Sequence, residues 1–252
     1  MQYEGPLRER RKATTPLLQR IKTEHKISIE RRREQELQIV TKGAGHSRFP
    51  HPTEVMYNVR ESTCYEIFNI FVAESYDFFK HAFPAFQKLP ENEKDLIFKD
   101  YIGKFSMVEC YYRTRQLWGG VGRFIMCSVT TCYDVNLTDP EFLPSSNSAN
   151  AKFLLSSARA YADDQNEVFM PIFNRSKLVE REFYALIVLV MGELDTSCGV
   201  SEEALVLLDR YRQEALEGLQ CYYQNELGLT DFSTRIGNLM SLNHAIQECK
   251  SL

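Results

Sequence analysis

What these 252 residues lack narrows the field first. The seven cysteines are Cys64, Cys110, Cys127, Cys132, Cys198, Cys221 and Cys249, and no two stand as C-x-x-C. A zinc module needs paired thiolates at short spacing to close a tetrahedron, so none is expected here. The thiols read as buried and reduced. The longest apolar run is the nine residues 183–191, far short of the about 20 that a membrane span needs. The N-terminus is charged and has no apolar signal core, which gives the reading of an intracellular protein. There is no G-x-S-x-G, no H-E-x-x-H and no Gly-rich phosphate fingerprint. GGVG at 119–122 is followed by no Lys-Ser/Thr and preceded by no strand. Adjacent carboxylates such as Asp163–Asp164 and Glu202–Glu203 point apart on a helix and make poor acid–base couples. No catalytic residues, metal site or cofactor are expected, and the chain does not read as an enzyme.

What is present is an ordinary globular composition, 44% hydrophobic and 25% charged, in a chain long enough to bury roughly three-quarters of its unfolded surface. The charge is uneven. Residues 1–42 carry 11 Lys/Arg against 6 Asp/Glu, a net of +5, while the whole chain is −4, so the remainder holds −9. Residues 1–42 read as a basic, hinge-like, partly helical arm on an acidic body (43–252). Such an arm could touch nucleic-acid phosphates, although a solvated helix face or a localisation signal is the commoner use.

Helices are expected over 14–40, 52–83, 91–118, 149–173, 177–194, 201–227 and 231–249. In 52–83, aromatic and apolar residues recur at three and four, the spacing of one buried face. Pro84 ends that helix, because its ring and missing N–H oppose continuation. Pro90 opens the next, where its fixed φ is tolerated, and Glu91 and Glu93 suit the positive helix end. Helix 91–118 is apolar on more than one side, which implies a central element and three layers. Segment 123–135 is rich in β-branched and aromatic residues and is the one good strand candidate. Loops are expected at 41–52 and 139–148. The fold class is all-α, an antiparallel helical sandwich of three layers with a small β element near 123–135.

Apolar stripes are more often core than pocket. Even so, an interior with Phe68, Phe71, Met107, Tyr111, Phe124, Met126 and Met240, and with Cys110, Thr114 and His244 as polar exceptions, could surround a small apolar ligand. His46 and His51 share one loop but have no carboxylate or thiol beside them. His244 near Cys110 and Tyr111 is the only cluster that could suggest catalysis.

The stretch 76–114 resembles the signature region of nuclear hormone receptor ligand-binding domains, particularly the divergent nematode set. It carries an aromatic-x-Lys (Phe78–Lys80), Pro84-Ala85-Phe86, then Leu89, and an acidic run from Glu91 into an apolar helix. FSMVECYYRT (105–114) is similar to the family's following helix. RYRQEALEGLQCYYQNEL (210–227) and STRIGNLMSL (233–242) are similar to its ninth and tenth helices. The resemblance covers about residue 42 to the end. It implies a three-layer helical sandwich with a pocket for a lipophilic ligand. It also implies a groove that takes a coregulator's short amphipathic helix, whose terminal carbonyls a lysine would cap. Lys80 holds the matching place, Lys99 is a second candidate, and Val72, Phe79, Leu96 and Ile97 would floor or support the groove. Arg235, Leu239 and Leu242 would form a dimer face.

Two departures from the family pattern shape the expected role. No cysteine precedes Cys64, so the zinc-binding DNA-recognition domain is expected to be absent, and with it independent sequence-specific DNA binding. The chain stops at Leu252, before the family's terminal activation helix, and Glu248 comes too early for that helix's glutamate. The expected function is transcriptional regulation in the nucleus, possible also from the cytoplasm, through a lipophilic ligand, a coregulator peptide, or a homo- or heterodimer with a nuclear receptor. The rival is a ligand-free helical module for dimerisation or sequestration, its pocket filled by its own Phe, Tyr and Met side chains. No membrane association is expected.

Overall fold

The structure, a computed structural model, describes residues 16–42, 48–49, 56–58, 61–119, 124–134, 169–191, 194 and 196–248. Helix α2 (Glu61–Ala82) ends where Pro84 starts a single 3-10 turn, Pro84–Lys88. Phe86 fills the corner, fully buried, and Leu89 continues in extended backbone. Helix α3 (Glu91–Trp118) then begins behind Pro90 and stops at Gly119, whose φ of 73° is left-handed and costs a glycine little. Both ends of α3 are those read from the sequence.

Helix α3 is the central element. It touches α2, the strand β3 (Phe124–Met126) and the helices α4 (Met170–Ser176), α5 (Glu180–Leu189) and α7 (Ser233–Glu248). Its sides are used differently: Phe98, Tyr101 and Phe105 meet the rings of α2, Tyr111 meets Phe169 and Phe173, and Tyr112 stacks on Phe183 of α5. Ring contacts at 4.5–7 Å each add roughly 0.5–1.5 kcal/mol beyond area burial. Helix α6 (Glu202–Cys221) is capped by Ser201, whose Oγ accepts from the Ala204 N–H at 3.3 Å, and runs into a π turn, Tyr222–Glu226. The all-α, three-layer arrangement is the one expected.

Three elements differ from the sequence reading. Helix α1 (Pro16–Lys42) is not a projecting arm. Leu17, Leu18 and Ile21 enter the main core, and Val40 packs with Tyr57 and Ile67. Its basic residues turn to the acidic face of α2: Arg31 lies 3.9 Å from both Glu74 and Asp77, and Arg20 Nε donates to the Ala82 carbonyl at 2.8 Å. Arg20, Arg31 and Arg32 thus meet partners within the fold, while Lys26 and Lys42 are exposed. Second, α2 starts at Glu61 rather than near 52, because Met56–Asn58 (β2) is drawn into pairing. The Tyr57 N–H donates to Thr130 O at 2.9 Å, and β2 runs parallel to β4 (Thr131–Asp134). Long-range pairing overrides the local helical spacing there. Third, the single strand candidate is a hairpin, β3 antiparallel to β4, within a four-stranded sheet of order β1-β2-β4-β3 whose first strand is β1 (Arg48–Phe49). Helix 177–194 is also shorter, as α5. The calls at 43–47, 135–168 and 249–252, including most of helix 149–173 and the loop at 139–148, lie outside the described residues.

Candidate functional site

The residues expected around a ligand are not gathered in one place. Phe68 is 52% exposed on α2, beside Tyr65 at 75%. Phe71 is buried, stacked on Phe105 at 6.0 Å, with the Arg32 guanidinium 4.8 Å over its ring. Met107 and Met240 are half-buried against the main core. Tyr111 meets Phe169 at 4.7 Å and Phe173 at 5.8 Å, both fully buried, so aromatic side chains of the chain itself fill the space beside it. A separate small cluster joins Met126, Met56 and Cys132, with Cys110 and Trp118 against it and Phe124 on Trp118 at 5.8 Å. Thr114 belongs to this cluster as a structural tie: its hydroxyl donates to Cys110 O at 2.7 Å and accepts from the Met126 N–H at 2.9 Å. Burial pushes the Cys110 thiol up to about 12, with the Glu109 charge adding to it, so Cys110 is no nucleophile. His244 is exposed on α7, whereas Cys110 lies against the hairpin and Tyr111 against Phe169. His46 and His51 lie outside the described residues. Among the described residues no group of three His, Cys, Asp or Glu side chains could hold a metal ion.

The surface where α2 meets α3 is better assembled. Val72, Tyr76 and Lys80 follow one another at four-residue spacing on α2 and are all half-buried. The Tyr76 ring meets Phe98 of α3 edge-on at 5.0 Å, and Phe98 in turn meets the buried Phe79 at 6.0 Å, while Ile97 is buried too. Lys80 Nζ lies over Tyr76 at 5.0 Å and bonds Asp77 at 2.7 Å, and that hydrogen bond holds the Asp77 carboxyl below its usual value. Tyr76 and Phe98 were absent from the groove read from the sequence. Leu96 faces elsewhere: its Cδ1 lies over Gly199, where an added Cβ would sit 3.4 Å away. Lys99 is exposed on α3.

On α7, Leu239 and Leu242 are turned into the core. Arg235 is held against the protein too. Its guanidinium reaches Glu182 of α5 at 2.7 and 2.8 Å, and the Tyr223 hydroxyl donates to the same carboxylate oxygen at 2.6 Å. Burial raises the Tyr223 phenol, and the Glu182 contact adds to this. The other Glu182 oxygen accepts from the Val179 N–H at the start of α5. These three side chains thus tie α5, the π turn and α7.

Sequence reasoning missed the most buried polar cluster. Arg32 and Glu36 of α1 are 1% and 0% exposed, and Glu109 of α3 is 1% exposed. Arg32 Nη1 sits 2.7 Å from one Glu109 oxygen, and His25 Nε2–H donates to the other at 2.8 Å. Burial alone would raise the Glu109 carboxyl, but the Arg32 charge and the His25 bond outweigh it and hold the group at about 2. Glu36 accepts from Ser128 Oγ, Thr130 N and Thr130 Oγ1 at 2.7–2.9 Å, binding α1 to the turn of the hairpin. The available signal was the stripe 18, 21, 25, 28, 32, 36, 40, which has helical spacing once polar residues are counted in it.

The comparisons with known proteins follow the same lines. The family model for the ligand-binding domain of nuclear hormone receptors matches residues 50–251. Nuclear hormone receptor family member nhr-28 of Caenorhabditis briggsae is 26% identical over 178 residues, 68% of this chain but 39% of that protein. The match thus spans well under half of that relative's length. Among solved structures, the Ultraspiracle ligand binding domain from Drosophila melanogaster aligns over 88% of this chain and 87% of its own, with a TM-score of 0.50 and 14% identity, a likeness of fold.

Proposed function

Since the chain belongs to the nuclear hormone receptor ligand-binding domain family, whose members are ligand-regulated transcription factors rather than enzymes, we propose that it regulates transcription through a protein partner. The partner is a coregulator's amphipathic helix docked where α2 meets α3. The observation that carries this reading is the stripe Val72, Tyr76 and Lys80 beside Phe98: an apolar strip that ends in a cation, the pattern a helix with exposed terminal carbonyls needs. Lys80 caps those carbonyls, and Asp77 keeps its ammonium in place. Arg235 then serves α5–α7 cohesion, and any dimer with a second copy or another receptor uses the exposed face of α7. Helix α1 is part of the acting unit, and the nucleus is its place of work.

A specific observation favours an interior filled by the chain itself. Phe169 and Phe173 are fully buried against Tyr111. Native mass spectrometry of the purified protein, beside a denatured and extracted sample, tests this. A folded protein of bare mass agrees with a self-filled interior, whereas a bound lipophilic mass overturns it and assigns a ligand. The docking site is tested by fluorescence anisotropy with a labelled leucine-rich amphipathic peptide. Lys80→Glu should weaken binding by roughly tenfold, or about 1.4 kcal/mol, and unchanged affinity would refute the groove.

A further inference from the structure

We propose that the docking strip runs on along α2 as far as Tyr65 and Glu66, and that it takes an amphipathic helix of about four turns with a basic N-terminal end. This rests on the docking site proposed above and adds the length, direction and charge of its partner. The four-residue ladder of Val72, Tyr76 and Lys80 does not start at Val72. Phe68 stands one step earlier and is 52% exposed, its ring tilted against Phe71 at 6.2 Å. Tyr65, seven residues before Val72 and so on the same face of the helix, is 75% exposed. Among the described residues, these two are the only exposed large apolar side chains within one turn of each other on one helix. A contiguous apolar patch of this kind, rimmed by polar residues, marks an interaction site.

The charges at the two ends set the direction. Lys80 closes the strip in the last turn of α2. Glu66 stands at the other end, exposed, and makes no hydrogen bond or ion pair among the described residues. The two are 14 positions apart in one helix, which is about 21 Å at 1.5 Å per residue and matches a partner helix of about four turns. A helix whose carbonyl end meets Lys80 and whose N–H end meets Glu66 has both poles of its dipole matched. It lies parallel to α2. Between the poles the same face shows Asn69 and Ala73, both exposed and uncharged, so a partner backbone can come close. An acidic first turn, which suits a helix's own dipole, would meet Glu66 and be repelled, whereas a lysine or arginine there is attracted. The strip therefore selects among amphipathic helices by the charge of their first turn as well as by apolar spacing.

The test uses the whole chain and three fluorescein-labelled synthetic peptides. One is a two-turn leucine-rich helix that reads the groove at Lys80 alone. The other two extend it at the N-terminus to four turns with further leucines on the same face, and differ only in a lysine or a glutamate in the first turn. By fluorescence anisotropy the four-turn lysine peptide should bind roughly tenfold more tightly than the two-turn peptide. Tyr65→Ser should remove most of that gain, and the exposure of Tyr65 makes misfolding no rival explanation. The lysine peptide should bind several-fold more tightly than the glutamate peptide, and Glu66→Lys should invert that order, an inversion that differences in the peptides' own helicity cannot produce. No gain with length, or the same charge preference in both proteins, while the two-turn peptide still responds to Lys80→Glu, overturns this inference and leaves the groove standing. A two-turn affinity indifferent to Lys80→Glu overturns the groove and the extension with it. A concentration-dependent dimer in analytical ultracentrifugation that Tyr65→Ser abolishes would give the strip to a second copy of the chain and also overturns the proposal.

Discussion

Replacing Arg32 with methionine isolates the energetics of the buried ionic cluster. Within this cluster the Arg32 guanidinium is set against two carboxylates, Glu109 at 2.7 Å and Glu36 at 3.9 Å. The Glu109 carboxyl lies at about 2 in the fold against an ordinary 4.5. A drop of that size corresponds to ~3 kcal/mol of stability at neutral pH. The sign follows from the depressed value: this contribution is complete above 4.5 and is lost as the pH falls towards 2. Removing one member of a buried pair typically costs about 3–5 kcal/mol, because the other charge is left without compensation. Arg32→Met should therefore cost ~4 kcal/mol at pH 7, a large part of the roughly 5–15 kcal/mol that holds a domain together. The cost should shrink towards pH 3, where an unpaired Glu109 takes up a proton. Urea unfolding followed by circular dichroism at pH 7, 5 and 3 reads both effects. Adding Glu109→Leu to Arg32→Met should cost less than the two single changes summed. A single-variant cost under about 1 kcal/mol, or strict additivity, would refute the reasoning.

Three further outcomes follow from other contacts. The Tyr101 hydroxyl is buried with no hydrogen-bond partner among the described residues, between the Phe79 and Phe105 rings. Tyr101→Phe should raise stability by up to about 1 kcal/mol, and a lowered melting temperature would mean that the hydroxyl is satisfied. Ser201→Ala removes the α6 cap and the Oγ–H donated to Glu93 at 2.7 Å; a loss of about 1 kcal/mol in chemical denaturation is expected. Arg235→Ala leaves the buried Glu182 carboxylate without its cation, held only by the Tyr223 hydroxyl and the Val179 N–H, so it should cost about 2 kcal/mol and speed amide exchange across 233–248, while unaltered exchange there would contradict the proposed tie between α5 and α7.

Residues that act on their own backbone were the legible ones. Pro84, Pro90 and Gly119 fix the limits of α3 through local φ preferences, and Ser201 announces its helix by the bond that it makes three residues on. The central place of α3 was legible as well, since a helix apolar on several sides must be covered on several sides. The docking of α1 was hidden because four of its inward positions are His25, Ser28, Arg32 and Glu36, and a search for apolar periodicity passes over them. Strand β2 was hidden in part because its partners in β4, Thr131 and Cys132, lie more than 70 residues away. For the candidate sites, spacing put Phe68 and Phe71 on one side of α2, but three residues of rotation separate an exposed ring from a buried one. The inward turn of Leu239 and Leu242, like the position of Leu96 over Gly199, depends on which neighbours reach α7 and α3. Period does not carry that information.

The hook between Glu36 and the hairpin turn also bears on the order of assembly. Glu36 binds Ser128 and Thr130, 92 and 94 residues further along the chain. Helix α1, made before the hairpin, therefore carries a face that stays incomplete until the hairpin has been made. During that wait its buried stripe is part ionic, and water can keep Arg32 and Glu36 solvated where an all-leucine stripe would seek a foreign partner. The ion cluster thus doubles as a guard on the nascent chain. Pulse-labelled hydrogen exchange during refolding should find 91–118 protected before 16–42, and the reverse order would remove this role from the cluster.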